Sequence, residues 1–300
     1  MTKHLPVASD LRLAMERLLA LGGVAAQSRI VHVQGATLHH LELGAGPPLV
    51  LLHGATGGAA NWFRLLGPLA QQQRVFALDL PGFGFSPAIN PREPLGVCVA
   101  QLIECWLDAT EIRNCVVVAT SFGGLVALRL AQHVPERVRA LVLIDSVGLG
   151  RELPRALRLA CLGPLAAAAL RPSRPGIRWQ LNRLMLADPG SLPRAERSAL
   201  IEYLYQSAAA THRTLLGLGF SMFADLRGQR EVLSDHELRQ LRSRLLIVWG
   251  ARDRFLPLRH AQRAADLVPG ATLRIIPGAG HSPNWETPTA VLECLSPFLS

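Results

Sequence analysis

Six short apolar runs set what this chain can fold into: "PLVLLHG" (48–54), "RVFALDL" (74–80), "CVVVAT" (115–120), "RALVLID" (139–145), "RLLIVWG" (244–250) and "TLRIIPG" (272–278). Each is dominated by Val, Ile and Leu with little polar alternation, as in a strand covered on both faces. Helical periodicity fills the intervals at 95–110, 122–133 and 257–268, the last with Pro257 near its first turn. Strands alternating with helices predict an α/β fold, a mostly parallel twisted sheet with helices on both faces. Two earlier segments, "RIVHV" (29–33) and "TLHHLEL" (37–43), read as further strands, and the alternation of the second suits an edge region.

Two stretches stand outside this rhythm. Residues 8–27 predict one amphipathic helix, with Leu11, Leu13, Met15, Leu18 and Leu19 among charged positions. Between about 147 and 234 no strand-like run occurs, only helical periodicity broken by "RPSRPG" (171–176) and "ADPGSLP" (187–193). An all-helical cap inserted between two sheet strands is the simplest account. The expected organisation is a helical extension over 1–28, a core over 29–146, the cap over 147–234 and the rest of the core over 235–300.

Composition narrows the partners. With 300 residues and 49% apolar content the chain can bury a large sheet, and 18% charged residues argue against disorder. The net charge of +9 comes from scattered arginines with a mild excess between Arg151 and Arg183, without a basic cluster beside stacking aromatics. No nucleic-acid partner is therefore expected. Cys98, Cys105, Cys115, Cys161 and Cys294 form no C-x-x-C pair, which suits reduced thiols in a cytoplasmic protein. Asp10, Arg12, Glu16 and Arg17 interrupt the first apolar stretch before a secretory signal can form. The longest apolar run, near 159–170, contains Gly163 and Pro164 and is too short to span a bilayer, so no stable membrane insertion is expected. The histidines are dispersed without metal-ligand spacing, and "GFGFS" lacks the strand–helix setting of a dinucleotide motif. No metal and no cofactor are expected, and the oligomeric state is open.

In open parallel sheets, ligands sit beyond the carboxyl ends of the strands. Those ends deliver His53-Gly54-Ala55, Asp79, Ser121, Asp145, Asp253 and, after the last strand, His281. A serine, carboxylates and a histidine thus converge on one edge. A serine hydroxyl becomes nucleophilic when an imidazole can take its proton, and a carboxylate orients that imidazole. Asp145 and Asp253 both end strands and compete for the last role.

The order Ser, Asp, His, together with "LLHG", "LDLPGFGFS", "ATSFGG", "WGARDRFLP" and "GAGHSPNWETP", resembles the α/β-hydrolase superfamily. The resemblance covers roughly 29–146 and 235–300. It implies Ser121 as nucleophile, His281 as base and, through W-G-x-x-D, Asp253 as the orienting acid in preference to Asp145. It also implies an oxyanion hole from the backbone N–H groups of Ala55 and Phe122. The usual elbow is G-x-S-x-G; here Ala119 replaces the first glycine and adds only one methyl.

What the resemblance implies about substrate divides two ways. Apolar cap side chains, among them Leu162, Trp179, Met185, Phe220, Met222 and Phe223, suggest an acyl or aryl pocket, with Thr56 on a loop near the ligand. A small-molecule carboxylic ester of small to medium, largely apolar character is the leading substrate, with substrate contacts at Thr56, Trp179, Met185, Phe220 and Phe223. "HGATGGAANW" (53–62) and "GHSPNWE" (280–286) resemble instead the meta-cleavage-product hydrolases, which cut a carbon–carbon bond in dienoate acids. Those enzymes usually carry asparagine before the nucleophile, where this chain has Thr120. A non-catalytic ligand-binding protein on the same fold is the third reading.

Overall fold

The computed structural model describes residues 7–55, 57–90, 94–154, 158, 171–214, 224–225 and 227–299. Its centre is an eight-stranded sheet built from β1 (Gln27–Val33), β2 (Ala36–Leu43), β3 (Pro48–Leu52), β4 (Arg74–Leu78), β5 (Cys115–Thr120), β6 (Val138–Ile144), β9 (Arg244–Gly250) and β10 (Thr272–Ile276). The spatial order is β1-β2-β4-β3-β5-β6-β9-β10. Within this sheet the β1–β2 and β2–β4 pairings are antiparallel, and the pairings from β4 across to β10 in that order are parallel.

The apolar runs form strands because each residue parity has its own core to enter. Val50, Leu52, Val117, Ala119, Leu141, Leu143, Ile247 and Trp249 belong to one buried cluster. Their neighbours Leu49, Leu51, Val116, Val118, Val142, Ile144, Leu246 and Val248 belong to the other. Side chains that alternate across a pleat and are apolar on both faces require cover on both sides. The first cluster is closed by α3 (Leu95–Ala109), α4 (Phe122–His133) and the helix Arg259–Leu267, through Ile103, Trp106, Leu128 and Ala264. The second is closed by α1 (Val7–Leu21), α2 (Phe63–Ala70) and the C-terminal helix Pro288–Leu299, through Leu18, Phe63, Leu66 and Leu295. At roughly 1.5–3 kcal/mol per fully buried aliphatic side chain, these two layers supply the main driving force of folding.

The N-terminal helix ends earlier than its periodicity suggested. Gly23 takes φ +64°, the N–H of Val24 bonds to the Leu19 carbonyl (3.0 Å) and the N–H of Gly23 to that of Ala20 (3.1 Å). This paired capping satisfies the last carbonyls and stops the helix at Leu21, with the Gly22-Gly23 dipeptide as the stop signal. The segment between β6 and β9 is not wholly helical either. Besides the helices Arg174–Gln180 and Arg194–Thr214, it carries a two-residue antiparallel hairpin, β7 (Ala224–Asp225) with β8 (Gly228–Gln229). The turn is too short to register as a period-2 pattern, and Gly228 at φ +123° lets the strand lie against the Arg151 carbonyl. Among the described residues, no helix is long and apolar enough to cross a membrane.

Candidate active site

Three strand ends bring the candidate residues together. β5 ends at Thr120 and α4 begins at Phe122, leaving Ser121 alone on the turn between them with φ 48° and ψ −118°. A non-glycine residue at positive φ is strained, by about 1–3 kcal/mol, and persists only where the surroundings enforce it. Here they do: the Ser121 N–H bonds to the Ile144 carbonyl (3.1 Å), and its own carbonyl accepts from Gly124 (3.0 Å) and Val147 (3.0 Å). The glycines after the serine are required by close approach. A Cβ on Gly123 would lie 2.4 Å from the Leu52 carbonyl oxygen, and one on Gly124 1.9 Å from Ser146 Oγ.

Ala119 is fully buried in β5 between Leu52 of β3 and Leu143 of β6. One methyl fits there. Ala119→Gly is expected to keep most activity, whereas Ala119→Val adds two methyls in a filled site, at roughly 1–3 kcal/mol of overpacking. Displacing the turn by 1 Å would lower kcat by about 10²-fold. Thermal unfolding measured beside kcat separates misfolding from lost alignment; a folded Ala119→Val protein with full kcat would show that the elbow does not constrain this position.

His281 follows β10 and reaches back across the strand ends. Its Nε2 lies 3.1 Å from Ser121 Oγ and its Nδ1 2.8 Å from Asp253 Oδ2. With Nδ1–H donating to the carboxylate, the Nε2 lone pair faces the serine hydroxyl, as a general base requires. The Phe255 ring stacks on the imidazole at 4.7 Å and limits its rotation. Asp253 Oδ1 accepts the N–H groups of Phe255 (2.6 Å) and Leu256 (3.0 Å). Burial alone would raise this carboxyl, but the adjacent His281 ring and the two backbone donors outweigh it and hold the group below the usual carboxylate range.

The competing acid is placed differently. Asp145, fully buried at φ 44°, accepts the Gly250 N–H through Oδ1 (3.0 Å). Burial, reinforced by the charge of nearby Asp253, pushes its carboxyl well above the ordinary value. The hydrogen bond from the imidazole goes to Asp253. Asp145, Asp253 and His281 are a carboxylate–imidazole grouping compact enough to be weighed as a metal site, with ligand atoms within 4.8 Å of one another. His281 Nδ1, the ring nitrogen nearest the acids, is already engaged by Asp253, which is the pattern of a hydrogen-bonded relay.

The loop after β3 also lines the cleft. Gly54 packs so closely that a Cβ there would lie 3.1 Å from Ser121 Cβ, and Ala55 lines the cleft beside it. Fully buried His53 fixes this loop. Its Nδ1 donates to the Gly54 carbonyl (2.6 Å), its Nε2 accepts the Leu80 N–H (3.0 Å), and burial keeps the ring neutral. Asp79 accepts from Ala59 N–H (2.6 Å), Phe85 N–H (2.9 Å) and His39 Nδ1 (2.7 Å), tying the same loop to the turn after β4. Phe122 opens α4 directly after the serine, its buried ring tilted against that of Phe83 with centroids 6.3 Å apart.

The cleft encloses about 60 Å³ and is lined by Gly54, Ala55, Ser121 and His281 together with Asn61, Thr120, Gln180, Met185, Phe255 and Trp285. Met185 is among the lining residues. Trp179 is not, and is 59% exposed. The inward face of its helix is set by Ile177 and Leu181, which are buried, and this turns Trp179 outward and leaves Gln180 to line the cleft. Thr56, Leu162, Phe220, Met222 and Phe223 lie outside the described residues. Asn61, Trp285 and Gln180 were missed although the first two sit inside the quoted motifs. Single residues in loops carry no periodic signal, and only the folded chain brings them to the serine.

The sequence profile of the Alpha/beta hydrolase family matches residues 49–293. The chain is 32% identical over 286 residues to a 2-hydroxy-6-oxo-2,4-heptadienoate hydrolase of Pseudomonas putida, covering 91% of this chain and 96% of that one. It is 32% identical over 266 residues to the dihydrolipoyllysine-residue acetyltransferase component of an acetoin cleaving system of Cupriavidus necator, spanning 87% of this chain but only 66% of that relative. Among solved structures, a bacterial membrane phospholipase A superimposes with a TM-score of 0.79 at 27% identity, covering 98% of this chain and 91% of the other. With the profile spanning most of the sequence, the chain belongs to the alpha/beta hydrolase family and is a hydrolase.

Proposed function

We propose that Ser121, His281 and Asp253 form a catalytic triad that hydrolyses carboxylic esters of small to medium, largely apolar molecules through an acyl-serine. The observation that carries this reading is the continuous chain from Ser121 Oγ to His281 Nε2 (3.1 Å) and from His281 Nδ1 to Asp253 Oδ2 (2.8 Å), built on a serine at positive φ. His281 takes the hydroxyl proton as Oγ attacks the carbonyl, and Asp253 stabilises the imidazolium. The backbone N–H groups of Ala55 and Phe122 receive the developing oxyanion, aided by the positive end of α4. His281 then returns the proton to the departing alcohol, and a water repeats the sequence to release the acid. The segment 147–234, with its short hairpin, acts as the cap over this site. Thiols rather than a disulfide framework at Cys98, Cys105, Cys115 and Cys294 fit a reducing, cytoplasmic setting.

The ester reading draws on the lining. The described lining residues include no carboxylate, lysine or arginine, with Asn61, Thr120, Gln180, Ser282 and Asn284 among Met185, Phe255 and Trp285. Such a wall suits an uncharged acyl or aryl group better than a dienoate carboxylate, which calls for a cation. The likeness to the Pseudomonas putida dienoate hydrolase over almost the full length of both chains favours the second reading, carbon–carbon bond hydrolysis by the same three residues. Initial rates with p-nitrophenyl acetate, butyrate and decanoate, beside a 2-hydroxy-6-oxo-dienoate, separate the two. The ester reading expects at least one ester to exceed the dienoate in kcat/KM by more than tenfold. The opposite ranking moves the chain to carbon–carbon hydrolysis.

A further inference from the structure

Glu286 is a buried carboxylate, 7% exposed, that takes no part in the relay from Asp253 to Ser121. Its Oε1 accepts the backbone N–H groups of Ala187 (2.7 Å) and Asp188 (3.1 Å), and its Oε2 accepts that of Gly280 (2.6 Å). These donors belong to segments almost a hundred residues apart. Ala187 and Asp188 follow a single π-helical turn, Leu181–Met185, in the cap. Gly280 immediately precedes His281. One carboxylate therefore bridges a wall of the cleft and the turn that carries the imidazole.

The two segments are in direct contact. A Cβ on Gly280 would lie 2.7 Å from the Ala187 nitrogen and 2.8 Å from the Met185 carbonyl oxygen. Met185 itself lines the cleft. A second tie runs alongside: Arg254, next to Asp253, donates through Nη1 to the Arg183 carbonyl (3.1 Å). Charge-assisted bonds to an ionised carboxylate are roughly twice as strong as neutral ones, and only an acceptor with two equivalent oxygens serves both segments at once. Burial leaves the Glu286 carboxyl above its ordinary value, although the three backbone donors pull it down. Irregular π turns within helices concentrate at functional sites, and this one leads directly into the clamped residues.

We propose that Glu286 is a positioning residue that clamps cap residues 185–188 to the His281 turn, setting both the reach of His281 to Ser121 and the position of the Met185 wall. The proposal rests on the triad reading above. Glu286→Gln retains the shape of the side chain but has a single acceptor oxygen, so its amide must face an N–H on one side of the clamp. Ala187→Pro removes a cap-side donor alone; Leu186 already has the extended backbone (φ −102°, ψ 136°) that a residue before proline needs.

Two measurements divide the roles. The rate of Ser121 modification by a small fluorophosphonate depends on the serine–histidine alignment, whereas KM for p-nitrophenyl butyrate depends on the cleft wall. Glu286→Gln is expected to lower the phosphonylation rate, raise KM, or both, by about tenfold or more, in line with the sensitivity of rates to sub-ångström misplacement. Ala187→Pro is expected to raise KM and leave phosphonylation within about twofold of wild type. A folded Glu286→Gln protein with both quantities unchanged overturns the proposal, and so does Ala187→Pro with unchanged KM should the glutamine variant fail to fold. A wild-type protein that the phosphonate does not label overturns the triad reading and this proposal with it.

Discussion

Ser121→Ala is expected to lose turnover by about six orders of magnitude, leaving the ~10³–10⁴ over water that an oxyanion hole and binding supply. The fold should survive, because alanine meets the positive φ of this turn no worse than serine does, and the bonds holding the turn are made by backbone groups of Ile144, Gly124 and Val147. Equal unfolding temperatures for the two proteins, measured beside kcat, assign the loss to the attacking oxygen. Near-normal kcat in a folded Ser121→Ala protein would remove the serine from the chemistry.

The second large effect distinguishes the two buried acids. Asp253→Asn is expected to lower kcat by up to ~10⁴, because an amide cannot offset the imidazolium and favours the wrong tautomer of His281. Asp145→Asn should lower kcat little: the imidazole bonds to Asp253 instead, and an amide oxygen can still accept from Gly250. Linkage adds a stability test. A carboxyl raised in the folded state holds its proton where the unfolded chain has lost it, so its contribution is fully present below the unfolded pKa and fades as pH rises through the folded one. Asp145→Asn removes that loss and should therefore raise the unfolding temperature more at pH 7 than at pH 4. A larger kcat loss at Asp145 than at Asp253 would exchange their roles.

The parts of this molecule legible in its sequence are those written in local chemistry. A strand buried on both faces must be apolar at every position, so β3, β5, β6 and β9 announce themselves, and once the strands are known their ends bring Ser121, Asp253 and His281 to one edge. Small residues around Ser121 mark the elbow because close backbone contacts exclude larger side chains, as Gly123 and Gly124 demonstrate. The illegible parts depend on tertiary contact. Trp179 reads as a pocket aromatic, yet the face it takes is decided by where Ile177 and Leu181 find cover. The hairpin of β7 and β8 is too short to carry a period. Glu286 reads as one more charged residue near the C-terminus, since nothing local reveals that three backbone donors from two segments meet it. Asp145 and Asp253 both end strands, and beyond the W-G-x-x-D resemblance only the fold shows which carboxylate meets the imidazole: Asp253 lies 2.8 Å from His281 Nδ1, and Asp145 bonds the Gly250 N–H instead.

The central claim is that Ser121 carries the acyl group during turnover. Intact-protein mass spectrometry after rapid acid quench from p-nitrophenyl butyrate, followed by peptide mapping, tests it most directly. The account predicts one butyryl group per chain, located on Ser121, absent in Ser121→Ala and accumulating in His281→Ala only at a strongly reduced rate. A butyryl group on any other residue that persists undiminished in Ser121→Ala, or steady ester turnover by Ser121→Ala at the wild-type rate, would contradict it.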